Sequence, residues 1–325
     1  MGDAKQVPVL SVAICTYNGA ERIALVMEAL GRQTRRATDW EVLVVDNAST
    51  DETARIADQA LAHHLPDRGR RIHEPQPGVM FARRRATLEA RAELIAYLDD
   101  DNIPAPDYVD QAIAIMQRHP EAGIAGGKVL AQWLGTPTPL GEAAAPFALA
   151  IRDRGEQSFA YSEITGGPDT AGMVARTALL RTIFTDTHLA RKITGRKGKS
   201  LISGEDTAIV IRAHQLGYDC RYEPQLVIYH RLPASRSSLD YLLRLYEGIG
   251  RGQASMRPLL DAKAQNPLLA LLIASKDGGR WLVRSLRGPP PSLRKERGAL
   301  ADEFHRLYQA QVWGRFVQGL REPFR

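Results

Sequence analysis

Residues 94–102, LIAYLDDDN, decide the fold of this chain. A short, mainly apolar run is followed directly by Asp99, Asp100, Asp101 and Asn102, the pattern of a buried strand with polar side chains at its carboxyl end. Three adjacent carboxylates repel one another, and Mg²⁺ or Mn²⁺ would remove that cost because these cations prefer carboxylate oxygens. A solvated acidic turn that caps the next helix is the other interpretation.

The segments around this run alternate between strand and helix patterns. Apolar runs predict strands at residues 9–15, 40–46, 71–74 and 94–98, of which the third is the weakest. Helical spacing predicts helices at residues 20–34, 51–64, 79–91 and 106–118, and Thr50 is the expected N-cap of the second. This alternation predicts an α/β fold in which helices cover a parallel sheet, with ligands at the carboxyl ends of the strands.

Polar side chains close the first two predicted strands as well. Thr16, Tyr17 and Asn18 follow the first strand and could hold the edge and face of a nucleobase. They could equally form the tight turn that Asn18 followed by Gly19 favours. Asp46 could accept hydrogen bonds from a base or a ribose, while the residues after it cap the next helix.

Charged residues at four other positions are candidates for a site. Arg83 belongs to a run of three arginines, which suits either a diphosphate or a solvated helix face. Glu205 and Asp206 open a predicted helix, where the helix dipole stabilises a carboxylate and an ionised carboxylate can act as general base. His230 ends a strand-like run and could be a metal or phosphate ligand, or a structural residue.

The composition is that of a globular protein of 325 residues, 44% of them hydrophobic and 25% charged. Two cysteines make no disulfide framework, and we see neither a signal peptide nor an apolar run of about 20 residues. We therefore expect a cytoplasmic protein. Residues 241–325 carry 15 Lys and Arg against 7 Asp and Glu, which suggests an anionic partner such as a membrane surface, a lipid diphosphate or nucleic acid.

The predicted organisation is a catalytic domain over residues 1–240 and a basic helical extension over residues 241–325. The middle, residues 127–200, is expected to be less regular, and the basic, glycine-containing segment 190–200 to be a lid. A Gly-Pro-rich break at residues 288–291 divides the helical extension. Its apolar positions are Leu268, Leu269, Leu271, Leu272, Ile273, Trp281, Leu282 and Leu286. Set among arginines, they fit an interfacial helix on an anionic membrane, or a packing or dimerisation element.

Five stretches in order resemble the family 2 glycosyltransferases. They are LSVAICTYNGAERI, WEVLVVDNASTDET, GVMFARRRATLEARAELIAYLDDDNIPAPDYVD, DTAGMVARTALL and SGEDTAIVIRAHQLGYDCRYEPQLVIYH, and they cover roughly residues 8 to 240. The resemblance implies the GT-A fold, a Rossmann-like, mixed but mainly parallel sheet flanked by helices, here followed by the helical C-terminal extension.

The resemblance also implies roles for individual residues. The expected donor-binding residues are Thr16, Tyr17, Asn18, Asp46, Arg83, Asp99, Asp100, Gly172 and Met173. Within this set Asp100 would reach the ribose. Asp101 would hold Mn²⁺ or Mg²⁺, with Asp99 nearby and His230 as a further candidate ligand. Asp206 would be the catalytic base and Glu205 its acidic neighbour.

The predicted activity is inverting transfer of a sugar from a nucleotide-diphosphate donor, with UDP the expected nucleotide. The acceptor would be a hydroxyl of a glycan, a lipid-linked sugar or another molecule in polysaccharide, glycolipid or other glycoconjugate biosynthesis; nucleic acid is not an expected partner. One alternative is a sugar-nucleotide nucleotidyltransferase, against which counts the lack of a Gly-rich, Lys-containing loop near the first strand. The other is a non-catalytic nucleotide-sugar binding module, against which counts the presence of both acidic groups.

Overall fold

The computed structural model describes residues 7–36, 39–161, 167–186, 201–260, 266–289 and 291–321. The strands are β1 Leu10–Thr16, β2 Trp40–Asp46, β3 Gly69–His73, β4 Leu94–Asp99, β5 Asn102–Pro104, β6 Ala122–Leu134, β7 Phe159–Tyr161, β8 Met173–Arg176 and β9 Asp219–Pro233. The helices are α1 Ile23–Gly31, α2 Thr53–His64, α3 Val79–Glu89, α4 Tyr108–Arg118, α5 Pro139–Ala148, α6 Thr177–Thr185, α7 Glu205–Gln215, α8 Leu239–Leu260, α9 Pro267–Arg287, α10 Pro291–Arg297 and α11 Ala301–Arg321. The lid predicted at residues 190–200 lies outside the described residues.

A mixed sheet organises the described residues. Its strand order is β3-β2-β1-β4-β8-β6-β9-β5, with β7 paired to β9. The strands β3, β2, β1 and β4 are parallel, and β8 joins β4 antiparallel. The parallel strands β1 and β2 are almost wholly buried, as expected for strands covered on both faces by helices. The predicted α/β fold, with a mixed sheet flanked by helices and a helical C-terminal region, is thereby confirmed. The sheet is not mainly parallel as predicted, because the described pairings beyond β4 are antiparallel.

The start of the second helix was predicted wrongly. Thr50 is not its N-cap, because α2 begins at Thr53. The Asp51 carboxylate accepts the Thr53 amide at 3.0 Å and thereby supplies the missing acceptor at the helix start. The main chain of Thr50 instead donates to the Asn18 side chain at 2.8 Å, so tertiary contacts decided where this helix begins.

The middle of the chain is more regular than its glycines and prolines suggested. Residues 122–134 form the long strand β6 and residues 139–148 form α5. Gly127 sits inside β6 because the backbone of Leu226 and Glu223 on β9 approaches so closely that a Cβ would overlap it. Gly127 therefore permits a close backbone approach within a regular strand, in a segment that was expected to be less regular.

The chain divides into two compact units that are not consecutive in sequence. The first comprises the described residues of 7–132, 150–186 and 209–231, and the second those of 133–149, 201–208 and 232–321. The linear boundary between residues 240 and 241 stays a prediction, and the compact units do not follow it. As expected, the Gly-Pro-rich break separates two helices, α9 and α10. In the described residues, no helix has the length and apolarity needed to cross a bilayer.

Candidate active site

The carboxyl ends of the parallel strands bring the predicted polar residues of the first unit to one edge of the sheet. In the strand register Thr16 lies opposite Asp46, and Cys15 lies opposite Asp99. Residues 30 and 84 positions apart in sequence are therefore neighbours at this edge. This is the position at which open α/β sheets bind their ligands.

Asp100 is the centre of a buried hydrogen-bond network at this edge. Its Oδ2 accepts the Thr16 hydroxyl at 2.6 Å, and its two oxygens accept Arg22 Nε at 2.8 Å and Nη2 at 3.0 Å. The hydrogen bond to Asp100 raises the pKa of the Arg22 guanidinium above its ordinary value. Because a carboxylate offers roughly four acceptor positions, these three bonds leave about one for a ligand hydroxyl.

Gly19 makes this network possible. A Cβ on Gly19 would lie 3.1 Å from Asp100 Cγ and would overlap both the Asp100 carboxylate and the Thr16 hydroxyl. The Gly19 amide donates to the Thr53 hydroxyl at 2.8 Å, which holds the loop after β1 against the start of α2. Glycine is thus required here by packing.

Asp101 and His230 form a second buried pair. His230 Nε2 lies 3.5 Å from Asp101 Oδ2, and both side chains are about one-tenth exposed. The pairing of β5 with β9 places His230 opposite Asn102, and the Arg231 amide donates to the Asp101 carbonyl at 2.9 Å. Two metal–ligand bonds of about 2.1 Å each would span such a separation.

Asp99 lies outside that pair and faces an arginine instead. Its Oδ1 is 3.7 Å from Arg83 Nη2, and its side chain is half-buried. Among the described residues, no group of three or more His, Cys, Asp or Glu is arranged around a common metal position. The chain therefore offers one carboxylate and one imidazole at this position. A metal ion bound there would take its other ligands from the oxygens of a bound molecule, as Mg²⁺ commonly does with phosphates.

The three consecutive arginines of α3 have three different environments. Arg83 is buried and its carbonyl accepts the Tyr97 hydroxyl at 3.1 Å, while Arg84 is exposed. Arg85 is half-buried and pairs with Glu89 at 2.9 Å. Arg83 is thus the one arginine of the run that is held at the strand ends. The alternative interpretation of the run, a solvated helix face, therefore does not apply to Arg83.

The loops after β1 and β2 hold the remaining predicted nucleotide contacts. Asn18 adopts a φ of +48° and its Oδ1 accepts the Thr50 amide, so it ties the two loops together. Buried Asp46 accepts the Ser49 amide at 3.2 Å. Tyr17 is 44% exposed, which leaves part of its ring available for stacking.

Gly172 and Met173 lie beside β4. Gly172 has a φ of +73°, its amide donates to the Tyr97 carbonyl at 2.9 Å, and a Cβ there would come within 2.8 Å of Ile228. The Met173 side chain is fully buried. A ligand could therefore meet this segment through backbone groups, but not through the Met173 thioether.

Glu205 and Asp206 open α7 and belong to the second unit. They follow Gly204, whose φ is +133°, and the Ala208 amide donates to the Gly204 carbonyl at 3.0 Å. The segment before them packs on α8 at two glycines, Gly248 and Gly252. A Cβ at either glycine would come within 2.6 Å of a carbonyl carbon of this segment, so α8 supports the backbone that leads into Asp206.

Arg22 and Asn102 are site residues that the sequence-based interpretation missed. Asn102 is fully buried and its Oδ1 accepts the Asp99 amide at 3.1 Å, which shapes the acidic turn. Arg22 occupies the N-cap of α1, where a cation is opposed by the helix dipole. That local mismatch was a readable signal that an anion, here Asp100, lies close by.

The comparison with protein families decides the class of this protein. The family described as "Glycosyl transferase family 2" matches residues 11–183, more than half of the chain. The chain belongs to glycosyl transferase family 2. It is therefore a glycosyltransferase, in agreement with the prediction from the five stretches.

Individual relatives support the same class at low identity. The succinoglycan biosynthesis protein ExoM of Rhizobium meliloti is 23% identical over 298 residues, which cover 91% of this chain and 90% of that protein. The glucosyl-dolichyl phosphate glucuronosyltransferase of Haloferax volcanii is 22% identical over 237 residues, 72% of each chain. The chondroitin synthase of Escherichia coli is 36% identical, but over 33% of this chain and only 15% of that protein.

Solved structures show the fold of this family 2 enzyme. The mannosyltransferase PcManGT from Pyrobaculum calidifontis, in complex with GDP-Man and Mn²⁺, aligns with a TM-score of 0.57 at 20% identity. That alignment covers 96% of this chain and 87% of the other. S. aureus TarS 1–349, in complex with UDP-GlcNAc, aligns with a TM-score of 0.50 at 17% identity over 95% and 92% of the two chains.

Proposed function

We propose that this enzyme transfers a sugar from a UDP-sugar to an acceptor hydroxyl with inversion at the anomeric carbon. The observation that carries the proposal is the convergence of Thr16, Asp46, Asp100 and Arg83 at the carboxyl edge of the parallel sheet, next to Asp101. That set combines acceptors for a base and a ribose with a cation for a diphosphate. Family membership fixes the reaction class, and the site supports the choice of donor chemistry.

Donor recognition is proposed to be divided between two strand ends. Asp46 and the loop around Tyr17 would receive the nucleobase, by hydrogen bonds to its edge and stacking on its face. Asp100 would accept a ribose hydroxyl at its remaining acceptor position, since Arg22 and Thr16 hold the carboxylate in one orientation. Arg83 would lie beside the diphosphate, where its positive charge would attract the negatively charged phosphate oxygens.

The paired side chains of Asp101 and His230 fit a divalent cation, Mn²⁺ or Mg²⁺. Their Oδ2 and Nε2 atoms are 3.5 Å apart and buried, and both are metal-ligand types. When bound, such a cation would supply electrostatic stabilisation of the charge on the departing diphosphate. Asp99 would act indirectly, by holding Arg83 in place.

Asp206 is proposed as the general base. Its carboxylate would take the proton of the acceptor hydroxyl while the acceptor oxygen bonds to the anomeric carbon and the bond from that carbon to the diphosphate oxygen breaks. The electrons of the broken bond leave with the nucleoside diphosphate. Glu205, buried beside Asp206 at the helix start, would stabilise the turn that presents the base.

The acceptor is proposed to be a hydroxyl of a glycan, a lipid-linked sugar or another glycoconjugate precursor, reached in the cytoplasm. Cys15 and Cys220 are free thiols, which suits a reducing compartment.

A nucleotide-release assay over a panel of nucleotide sugars tests the donor and the reaction together. The full chain with Mn²⁺ should release UDP from at least one UDP-sugar, and the Asp206→Asn variant should release it far more slowly. Release of UDP by the variant at the wild-type rate would contradict the base. Selective turnover of a GDP-sugar or a dTDP-sugar would contradict the UDP assignment. Formation of a sugar nucleotide from a nucleoside triphosphate would instead favour the nucleotidyltransferase.

A further inference from the structure

One helix of the second unit presents several apolar side chains to solvent. On α9 the side chains of Leu272, Leu282, Val283 and Leu286 are 60%, 54%, 45% and 80% exposed. At about 100° per residue, these four positions, the apolar stripe, fall within about 100° of the helix circumference. Leu282, Val283 and Leu286 lie close together at the C-terminal end of the helix, whereas Ser275 and Gly279 separate them from Leu272 on the same face. The C-terminal three form an exposed apolar patch, which single scattered leucines do not explain.

A second strip, the basic stripe, runs beside the first. Lys276, Arg280, Arg284 and Arg287 are all exposed and occupy the adjoining arc of roughly 80°. The Arg284 guanidinium also stacks on the Tyr308 ring of α11 at 4.5 Å, so Arg284 lies at the border between the outward face and the packed face of α9. The outward half of α9 is therefore divided lengthwise into an apolar and a cationic strip.

The inward half of α9 is already occupied by the other helices of its unit. Trp281 packs on Trp313 of α11, with ring centroids 4.9 Å apart, and a Cβ on Gly278 would meet the Phe316 ring at 2.8 Å. Trp281 therefore fits the packing alternative that the sequence left open. Leu272, Leu282 and Leu286 are exposed instead. The side chains of Leu268 and Leu269 lie outside what the structure describes.

The acidic residue of α9 offsets only part of the charge of the basic stripe. Asp277 is the one acidic residue in the sequence of the helix, and it is 1% exposed. Its carboxylate pairs with Arg257 of α8 and lies 3.8 Å from both Arg315 of α11 and Arg280 of the basic stripe. Asp277 is thus shared among three arginines, and the outward face of α9, with its four basic residues, keeps a net positive charge.

We propose that the outward face of α9 docks parallel to the surface of an anionic lipid bilayer. The apolar stripe would enter the boundary between headgroups and acyl chains, and the basic stripe would lie beside lipid phosphates. Charge complementarity selects this occupant. A second copy of the chain, related by a two-fold axis, would bring two basic stripes together with no acidic group on either face. Nucleic acid would satisfy the basic stripe but leave the leucines in water.

Co-sedimentation of the full chain with lipid vesicles tests the proposal. Vesicles with about 30% phosphatidylglycerol should bind at least about tenfold more tightly than pure phosphatidylcholine vesicles. The reason is that each basic side chain near an anionic surface adds to the binding free energy. Raising NaCl from about 50 mM to about 500 mM should weaken the binding, because the charges lie at the surface and are screened.

Paired variants separate the two stripes. Lys276→Gln with Arg287→Gln should lower anionic-vesicle affinity roughly 25-fold, about fivefold per charge. Leu282→Gln with Leu286→Gln should lower it at least about tenfold through lost apolar insertion. The matched controls, Leu25→Gln with Leu88→Gln and Arg32→Gln with Arg55→Gln, change exposed residues of the first unit and should bind as wild type.

Three outcomes would overturn the proposal. The first is equal binding to neutral and anionic vesicles, and the second is unchanged binding by the leucine double variant. The third is a dimer in sedimentation velocity without lipid that the leucine variant abolishes, which would assign the face to a second copy. All substituted residues are exposed, so melting temperatures near that of wild type should accompany each comparison.

Discussion

The substitution Gly252→Ala tests whether α8 positions the segment that leads into Asp206. Gly252 faces the backbone of Ser203, three residues before the proposed base. A Cβ at this position would lie 2.6 Å from the Ser203 carbonyl carbon and closer still to its oxygen. Gly252 belongs to α8, and the atoms it would meet are backbone atoms of the segment before α7, so no flexible side chain can move aside to relieve the overlap.

The size of the effect follows from that distance. Ordinary van der Waals contact begins at 3.4 Å, so the two backbones must move apart by about 0.8 Å to relieve the contact with the Ser203 carbonyl carbon. The contact with the carbonyl oxygen requires a larger movement. Because a displacement of about 1 Å in a reacting group can cost about 100-fold in rate, we expect kcat to fall roughly 100-fold. The KM for the donor should change little, because the proposed donor-binding residues belong to the first unit. Overpacking costs about 1–3 kcal/mol of stability, and the better helix propensity of alanine offsets up to about 1 kcal/mol.

Steady-state kinetics and thermal unfolding of three alanine variants provide the assay. Gly250→Ala on the same helix would meet the backbone of Gln311 on α11, so it should lose stability without a comparable loss of kcat. Gly279→Ala on α9 meets no atom within 4 Å and should be fully active and about 0.5–1 kcal/mol more stable. A folded Gly252→Ala enzyme with wild-type kcat would refute the reasoning. So would an equal loss of kcat in Gly250→Ala, which would assign the effect to helix packing.

Four further outcomes are expected. Arg22→Gln should lose roughly 1–3 kcal/mol of stability because it leaves the buried Asp100 carboxylate without its cation. The same variant should bind UDP more weakly in calorimetry, and wild-type affinity would remove Arg22 from the site. Asp206→Asn should bind donor as wild type while kcat falls about 100- to 10,000-fold, and calorimetry beside kinetics would expose any binding defect. Asp101→Ala should abolish the increase in donor affinity that Mn²⁺ produces, and an unchanged increase would contradict the metal assignment. Burial raises the pKa of the Cys15 and Cys220 thiols to about 12, so at pH 8 iodoacetamide should label both at least roughly tenfold more slowly in the folded than in the unfolded protein, as measured by mass spectrometry.

Local patterns predicted most of the first hundred residues correctly. The strand at residues 40–46 has the predicted bounds, and the helices α1 to α4 lie within the predicted segments. These elements have strong periodicity and clear polar boundaries, so the hydrophobic pattern alone specifies them. The middle of the chain was predicted less well because glycines such as Gly127 answer to a neighbouring strand, which no local pattern records.

The acidic run shows the same division at the level of the site. Its place at a strand end was readable from LIAYLDDD, but the different partners of its three carboxylates were not. Arg22 for Asp100, Arg83 for Asp99 and His230 for Asp101 come from three separate elements. Each pairing depends on a sheet register or a helix start far away in sequence.

The sequence by itself determined the order of the strands and helices up to α4, the polar residues that end the first strands, and the family to which the chain belongs. Only the tertiary structure decided which of three arginines lies at the site, that Arg22 holds Asp100, and which half of α9 faces solvent. The physical reason is that hydrophobic periodicity is a property of neighbours along the chain, whereas burial and ion pairing are decided by whatever the folded chain places against each residue.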